Sequence, residues 1–140
     1  MKILINTLLW IWQLPQNLIG FVLSLFYQKR RMYFTTFYTG KLFNSAVSLG
    51  QYIIIDDVHF QCSDEYFKKS IKHEKGHSKQ SQMLGLFYLL IVGLPSFFRN
   101  IYDRLFHKDW TYLERTNWYY NGYPERWANK LGNVKGVILP

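Results

Sequence analysis

Cysteine occurs once, at Cys62. That excludes a disulfide within the chain and suits a reducing compartment. Acidic residues are also scarce: nine Asp and Glu stand against 17 Lys and Arg, for a formal charge of +8. A basic chain that is 19% aromatic is suited to either a membrane surface or a nucleic acid. Internal repeats, low-complexity tracts and linkers are missing as well. With 140 residues, one domain with a modest core is expected.

The most telling absence is charge near the N-terminus. From Ile3 to Tyr27, ILINTLLWIWQLPQNLIGFVLSLFY, 25 residues carry none, and then Lys29, Arg30 and Arg31 follow. About 20 apolar residues cross a hydrocarbon core of roughly 30 Å. The stretch is long enough, but Gln13, Pro15, Gln16 and Asn17 interrupt its centre, where unpaired amides are costly in lipid. Two forms of membrane association compete, a kinked spanning helix and a helix-break-helix hairpin dipping into one leaflet. A cleaved signal peptide fits poorly, because its apolar region is shorter and ends in small residues. The basic triplet predicts that the following domain faces the cytoplasm. We therefore expect residues 1–31 to be an anchor with a basic flank and residues 32–140 to form the domain. Membrane lipid is an expected partner and nucleic acid is not, since the basic residues follow an apolar anchor rather than interleaving with stacking aromatics.

Residues 32 to 60 read as a short antiparallel β region. MYFTTFY is aromatic and β-branched, Thr39-Gly40 supplies a turn signal, and Gly50-Gln51 divides SAVSL from YIIID. Ser63 or Asp64 can cap a helix running from about residue 65 to Leu84, with Gly85 as its stop. A second uncharged run, Met83 to Phe98, makes roughly 24 Å of helix, too short to span comfortably. It reads as an interfacial or re-entrant segment or as the wall of the core. Pro124 is placed to open a final short helix ended by Gly132.

The chemistry is concentrated in IKHEKGHSKQSQ, residues 71–82. On a helix His73 and His77 differ by about 40°, so both imidazoles leave one face a single turn apart. That is the bite two ligands of a tetrahedral zinc require. Glu74 sits about 100° round from His73, outside the coordination sphere but able to reach a metal-bound water. With four His and four Glu in 140 residues, the expected number of chance H-E-x-x-H matches is ~0.003. Lys68, Lys72, Lys75 and Lys79 form a basic stripe on another side of the same helix, which turns the histidines inward. The third zinc ligand has four downstream candidates: His107, Asp109, Glu114 and Glu125. Local context favours Glu125, with Asn129 four residues later on the same face, although an ordinary first-turn glutamate explains Glu125 equally well.

H-E-x-x-H followed by E-x-x-A-N resembles the H-E-x-x-H and E-x-x-A-D pair of the gluzincin-type membrane metallopeptidases. KHEKGHSKQSQMLGLFYLLIVGLPS with YPERWANKLG is similar to a group of short bacterial membrane-associated HExGHxxQSQ proteins, over about residues 70 to 133. The resemblance implies an α+β, zincin-like fold. It implies that His73, His77 and Glu125 bind Zn²⁺ and that Glu74 is the catalytic base in peptide hydrolysis. Asn129 departs from the pattern, which has Asp there, and a neutral amide cannot supply that carboxylate's charge. The reading that follows is a membrane-associated zinc metallopeptidase acting on a peptide or protein. The alternative is a non-catalytic membrane protein with a structural or vestigial zinc site. Two further expectations concern substrate. The strand near Tyr52 to Ile55 is expected to offer its edge to an extended chain, and Tyr119, Tyr120 and Tyr123 are candidate oxyanion donors.

Overall fold

The computed structural model describes residues 2–42, 45–136 and 138. The chain is α+β. Two helices, α1 (Lys2–Trp12) and α2 (Leu14–Ser24), precede four strands, β1 (Gln28–Met32), β2 (Thr35–Gly40), β3 (Ala46–Leu49) and β4 (Tyr52–Asp56). Then come α3 (Asp64–Leu84), α4 (Leu94–Phe106), α5 (Tyr112–Asn121) and α6 (Glu125–Gly132). Short 3-10 and π turns fill Gly85–Phe87 and Leu89–Gly93 between α3 and α4. Among the described residues no helix is long and apolar enough to cross a membrane.

The sheet is mixed, not antiparallel as expected, with strand order β1-β2-β4-β3. β2 and β4 run parallel, Tyr38 opposite Ile54 and Gly40 opposite Asp56. The cause is the β3–β4 hairpin: β3 takes the outer position, and its return strand slots in beside β2. This corrects a second expectation. Tyr52 to Ile55 lies in the interior of the sheet, and the edges belong to β1 and β3. Gly50-Gln51 does form the hairpin turn, with Gly50 at φ 64°. Thr39-Gly40, in contrast, lies inside β2. The turn sits at Tyr33-Phe34, both left-handed at φ 49° and 58°, where no glycine or asparagine marks it. β1 takes in Lys29, Arg30 and Arg31.

Phe37, Ile53, Ile55, Phe67 and Ile71 form the core between sheet and α3. α3 begins where Ser63 accepts a hydrogen bond from the Tyr66 amide at 3.2 Å, and it stops at Gly85, φ 54°. The final helix ends at Gly132 as expected, and left-handed Asn133 caps it.

The polar centre of the N-terminal stretch is turned inward. Gln13, Gln16 and Asn17 are fully buried. Ser81 of α3 donates to Gln13 Oε1 at 2.7 Å, and Gln16 Nε2 donates to Gly85 O at 2.8 Å. Asn17 Oδ1 accepts from the Gln51 amide at 2.8 Å. These bonds satisfy groups that would be costly in an apolar setting and fix α2 against α3 and the β3–β4 turn. Only Gln16 Oε1 of this group finds no partner among the described residues.

Candidate metal centre

The site arises where α6 crosses α3 at very short range. A Cβ added to Gly76 would stand 1.9 Å from Ala128 O, and one added to Gly132 would stand 2.0 Å from Lys72 O. Two glycines and Ala128 therefore let the backbones touch, which ordinary side chains would prevent. Glu125 and Asn129, one turn apart on α6, are thereby delivered to His73 and His77, one turn apart on α3.

Three ligand atoms converge there. His73 Nε2 and His77 Nε2 are 3.1 Å apart, and each lies about as close to Glu125 Oε2, at 3.0 and 2.9 Å. All three residues are buried. Four-coordinate zinc at about 2.0–2.1 Å from each atom would space them about 3.3–3.4 Å apart. The cluster thus needs to widen by only a few tenths of an ångström to accept the ion. Imidazole and carboxylate are donors suited to it, so the residues present fit zinc.

Each ligand is held from behind. His73 Nδ1 donates to Asn129 Oδ1 at 2.7 Å, and His77 Nδ1 donates to Gln80 Oε1 at 2.7 Å. Both bonds place a proton on Nδ1 and leave Nε2 as the atom that faces the centre. Gln80 is itself fixed through its Nε2, which donates to Pro124 O at 3.2 Å. Ser96 of α4 donates to Glu125 Oε1 at 2.5 Å, leaving Oε2 for the centre.

The electrostatics follow from burial. For Glu125 burial opposes ionisation, but the two imidazoles outweigh it and hold the carboxyl far below the usual range. For His77 burial likewise opposes charge, and the Glu125 carboxylate overcomes it, raising the imidazole to about 9. Glu74 is 4% exposed, its Oε2 has no hydrogen-bond partner among the described residues, and burial pushes its pKa up. An unpartnered buried carboxylate oxygen is rare in a folded chain and marks a place where another polar atom belongs.

The remaining sequence candidates lie elsewhere. His107 pairs with Asp103 at 3.1 Å and stacks on Trp110 at 3.8 Å, while Glu114 forms a capping box with Thr111. Asp109 is exposed. Of the three tyrosines, Tyr119 has its hydroxyl 3.3 Å from Ser96 Oγ, and Tyr123 donates to Ile91 O at 2.5 Å. Tyr120 stands edge-on to the His73 ring, with centroids 4.9 Å apart. The sequence alone gives no role to Gln80, Ser96 or Gly76. Gln80 was recoverable from its i+3 spacing to His77. Ser96 carried no signal, being distant in sequence from every ligand. Compared with protein-family models, curated proteins and solved structures, the chain matches none.

Proposed function

We propose that the chain is a membrane-associated zinc metallopeptidase whose domain faces the cytoplasm. One observation carries the reading: three buried ligand atoms within 3.1 Å of one another, beside a buried carboxylate with an unpartnered oxygen. His73, His77 and Glu125 hold the ion, and Asn129, Gln80 and Ser96 orient them. Bound there, Zn²⁺ supplies Lewis acidity, which polarises a peptide carbonyl and brings the pKa of a water toward ~7. Glu74 accepts the proton of the attacking water and passes it to the leaving amine, a task favoured by the raised pKa that burial gives it. The N-terminal apolar stretch associates with lipid, and the zincin-like character of the domain belongs to this same proposal.

The burial of all three ligands favours a second reading, a structural zinc in a non-catalytic membrane protein. A structural site is closed by a fourth protein ligand, yet among the described residues only these three cluster. Glu74→Gln separates the two readings. It preserves shape but cannot accept the proton, so zinc content should stay at wild-type level. Cleavage of a mixed peptide library should fall ~10²-fold or more. Equal cleavage by both proteins would remove Glu74 from the mechanism. Absence of cleavage by either, with zinc bound, would favour the structural reading and make Asn129 the first residue to restore to Asp.

A further inference from the structure

Two stretches of the surface are patterned in reverse. On α2 the inward positions are polar or small, namely Gln16, Asn17, Gly20 and Ser24, whereas Leu18, Ile19, Phe21 and Val22 are 44–49% exposed. The segment that follows the metal helix repeats this. Between Met83 and Phe106 the chain buries Gly85, Tyr88, Val92 and Asp103, and it presents Phe87, Leu90, Phe97 and Phe98 at 59–63% exposure. The two stretches together carry 25 large apolar side chains that are 37–83% exposed. At about 200 Å² per side chain, a little over half of it exposed, this is on the order of 2,700 Å², against ~300–600 Å² for the largest patch of a typical soluble monomer.

The stretches meet along one seam. Trp12 Nε1 donates to Gln82 O at 3.0 Å, and the Trp12 ring lies so close over Gly85 that a Cβ there would be 2.0 Å from it. Gln16 bonds Ser81 and Gly85 beneath the same seam.

We infer that these stretches form a single platform bedded in one leaflet of a lipid bilayer, interfacial and not spanning, with the residues after the metal helix inserted as deeply as the N-terminal pair. The inference rests on the membrane part of the reading above and adds the second stretch and the geometry. Length argues for it: α1 and α2 have 11 residues each, roughly 16 Å, about half a hydrocarbon core. Area argues against a protein partner, since a standard interface takes ~800 Å² from each side. Charge selects lipid over a second copy. The chain is +8, the exposed strand β1 with Lys29, Arg30 and Arg31 directly follows the first stretch, and Lys108 follows the second. Two such copies repel, whereas anionic headgroups attract. Ser96, within the second stretch, holds Glu125, so the metal centre lies one side chain away from the platform.

Single cysteines test this in the full chain carrying Cys62→Ser. Leu18→Cys, Leu90→Cys, Phe97→Cys and Lys75→Cys are each labelled with an environment-sensitive dye. They are then reconstituted into phosphatidylcholine vesicles with or without phosphatidylglycerol. Spin-labelled lipid should quench the dye at 18, 90 and 97 several-fold more than at 75, and phosphatidylglycerol should strengthen binding. Quenching at 18 alone would overturn the platform and leave the anchor reading intact. No quenching at any site, with a dimer in solution, would overturn both, while zinc content, measured in parallel, reports on the metal centre independently.

Discussion

His73 and His77 share the carboxylate of Glu125, whereas His107 shares that of Asp103 with Arg115. Both are buried histidine–carboxylate clusters, yet their surroundings differ. Asp103 Oδ2 accepts two bonds from the Arg115 guanidinium, at 2.7 and 3.1 Å, and Trp110 covers the His107 ring at a 13° tilt. A positive charge already serves that carboxylate, and the cluster fastens α4 to α5. Glu125 has the two imidazoles as its ion-pair partners among the described residues, and all three ligand atoms point at one spot. A histidine beside a carboxylate is therefore not a site in itself. Convergence, and a charge left for an ion to balance, make one.

Substituting one histidine in each cluster should break the comparison most sharply. His77→Ala removes a ligand and should lower zinc affinity by a factor of 10³ or more, with bound metal falling from about one per chain to none. His107→Ala should leave zinc content unchanged and cost about 2 kcal/mol of stability through lost packing and an altered Asp103 pairing. Metal analysis with denaturant melts of both variants decides it. Loss of zinc from His107→Ala would mean that the two clusters are not independent.

The crossing of α3 and α6 is the next point to break. A methyl at Gly76 meets Ala128 O at 1.9 Å, so Gly76→Ala must push Glu125 and Asn129 away from the histidines. Zinc affinity should fall at least tenfold, with overpacking costing about 1–3 kcal/mol. Titration of the apo protein checks this, and undiminished affinity would show that the glycine contact does not position the ligands.

Much of this was legible in the sequence, and the illegible parts share a cause. α3 could be read to within a residue because Ser63, the acidic first turn and Gly85 are local signals. His73, Glu74 and His77 lie on that one helix, so their relation follows from helical geometry alone. The sheet was misread because strand order depends on which segment inserts beside which, and because the Tyr33-Phe34 turn lacks a turn residue. The buried face of QLPQN was misleading for a similar reason. Gln13, Gln16 and Asn17 interrupt an apolar run in sequence, but their partners Ser81, Gly85 and Gln51 are distant along the chain. Ser96 belongs to the same class.

Protonation offers a finer comparison. In the apo protein Glu125 raises His77 to about 9, above the free imidazole value of ~6.5. The raised pKa stabilises the apo fold below about pH 6.5, and that contribution is lost as pH rises through about 9. Zinc needs the Nε2 lone pair, so binding at pH 7 must release about one proton. Apparent affinity should climb about tenfold per pH unit and level off near pH 9. Calorimetry in buffers of different ionisation enthalpy measures the proton count. Levelling off near pH 6.5 instead would show that Glu125 does not hold the proton on His77.

The smallest effect is expected on adding a charge at Asn129, and it bears on whether the site is built for catalysis. Its Oδ1 accepts from His73 Nδ1 at 2.7 Å, so it fixes the tautomer and the ring plane as an aspartate would, but without the charge. Asn129→Ala removes the acceptor and should weaken zinc about 10–100-fold, the usual cost of losing an outer-shell partner. Asn129→Asp keeps the bond and adds a negative charge behind His73, making the imidazole a stronger donor. Its zinc affinity should rise by a few-fold to tenfold. The added carboxylate replaces a half-buried amide whose Nδ2 donates to Tyr120 O at 3.5 Å, so it faces a carbonyl oxygen there, which opposes its ionisation. That opposition keeps the gain small. If Asn129→Asp raises affinity and peptide cleavage together, the amide moderates a working site. If affinity rises while cleavage stays absent, the charge behind His73 does not limit hydrolysis, and the case for a structural metal strengthens.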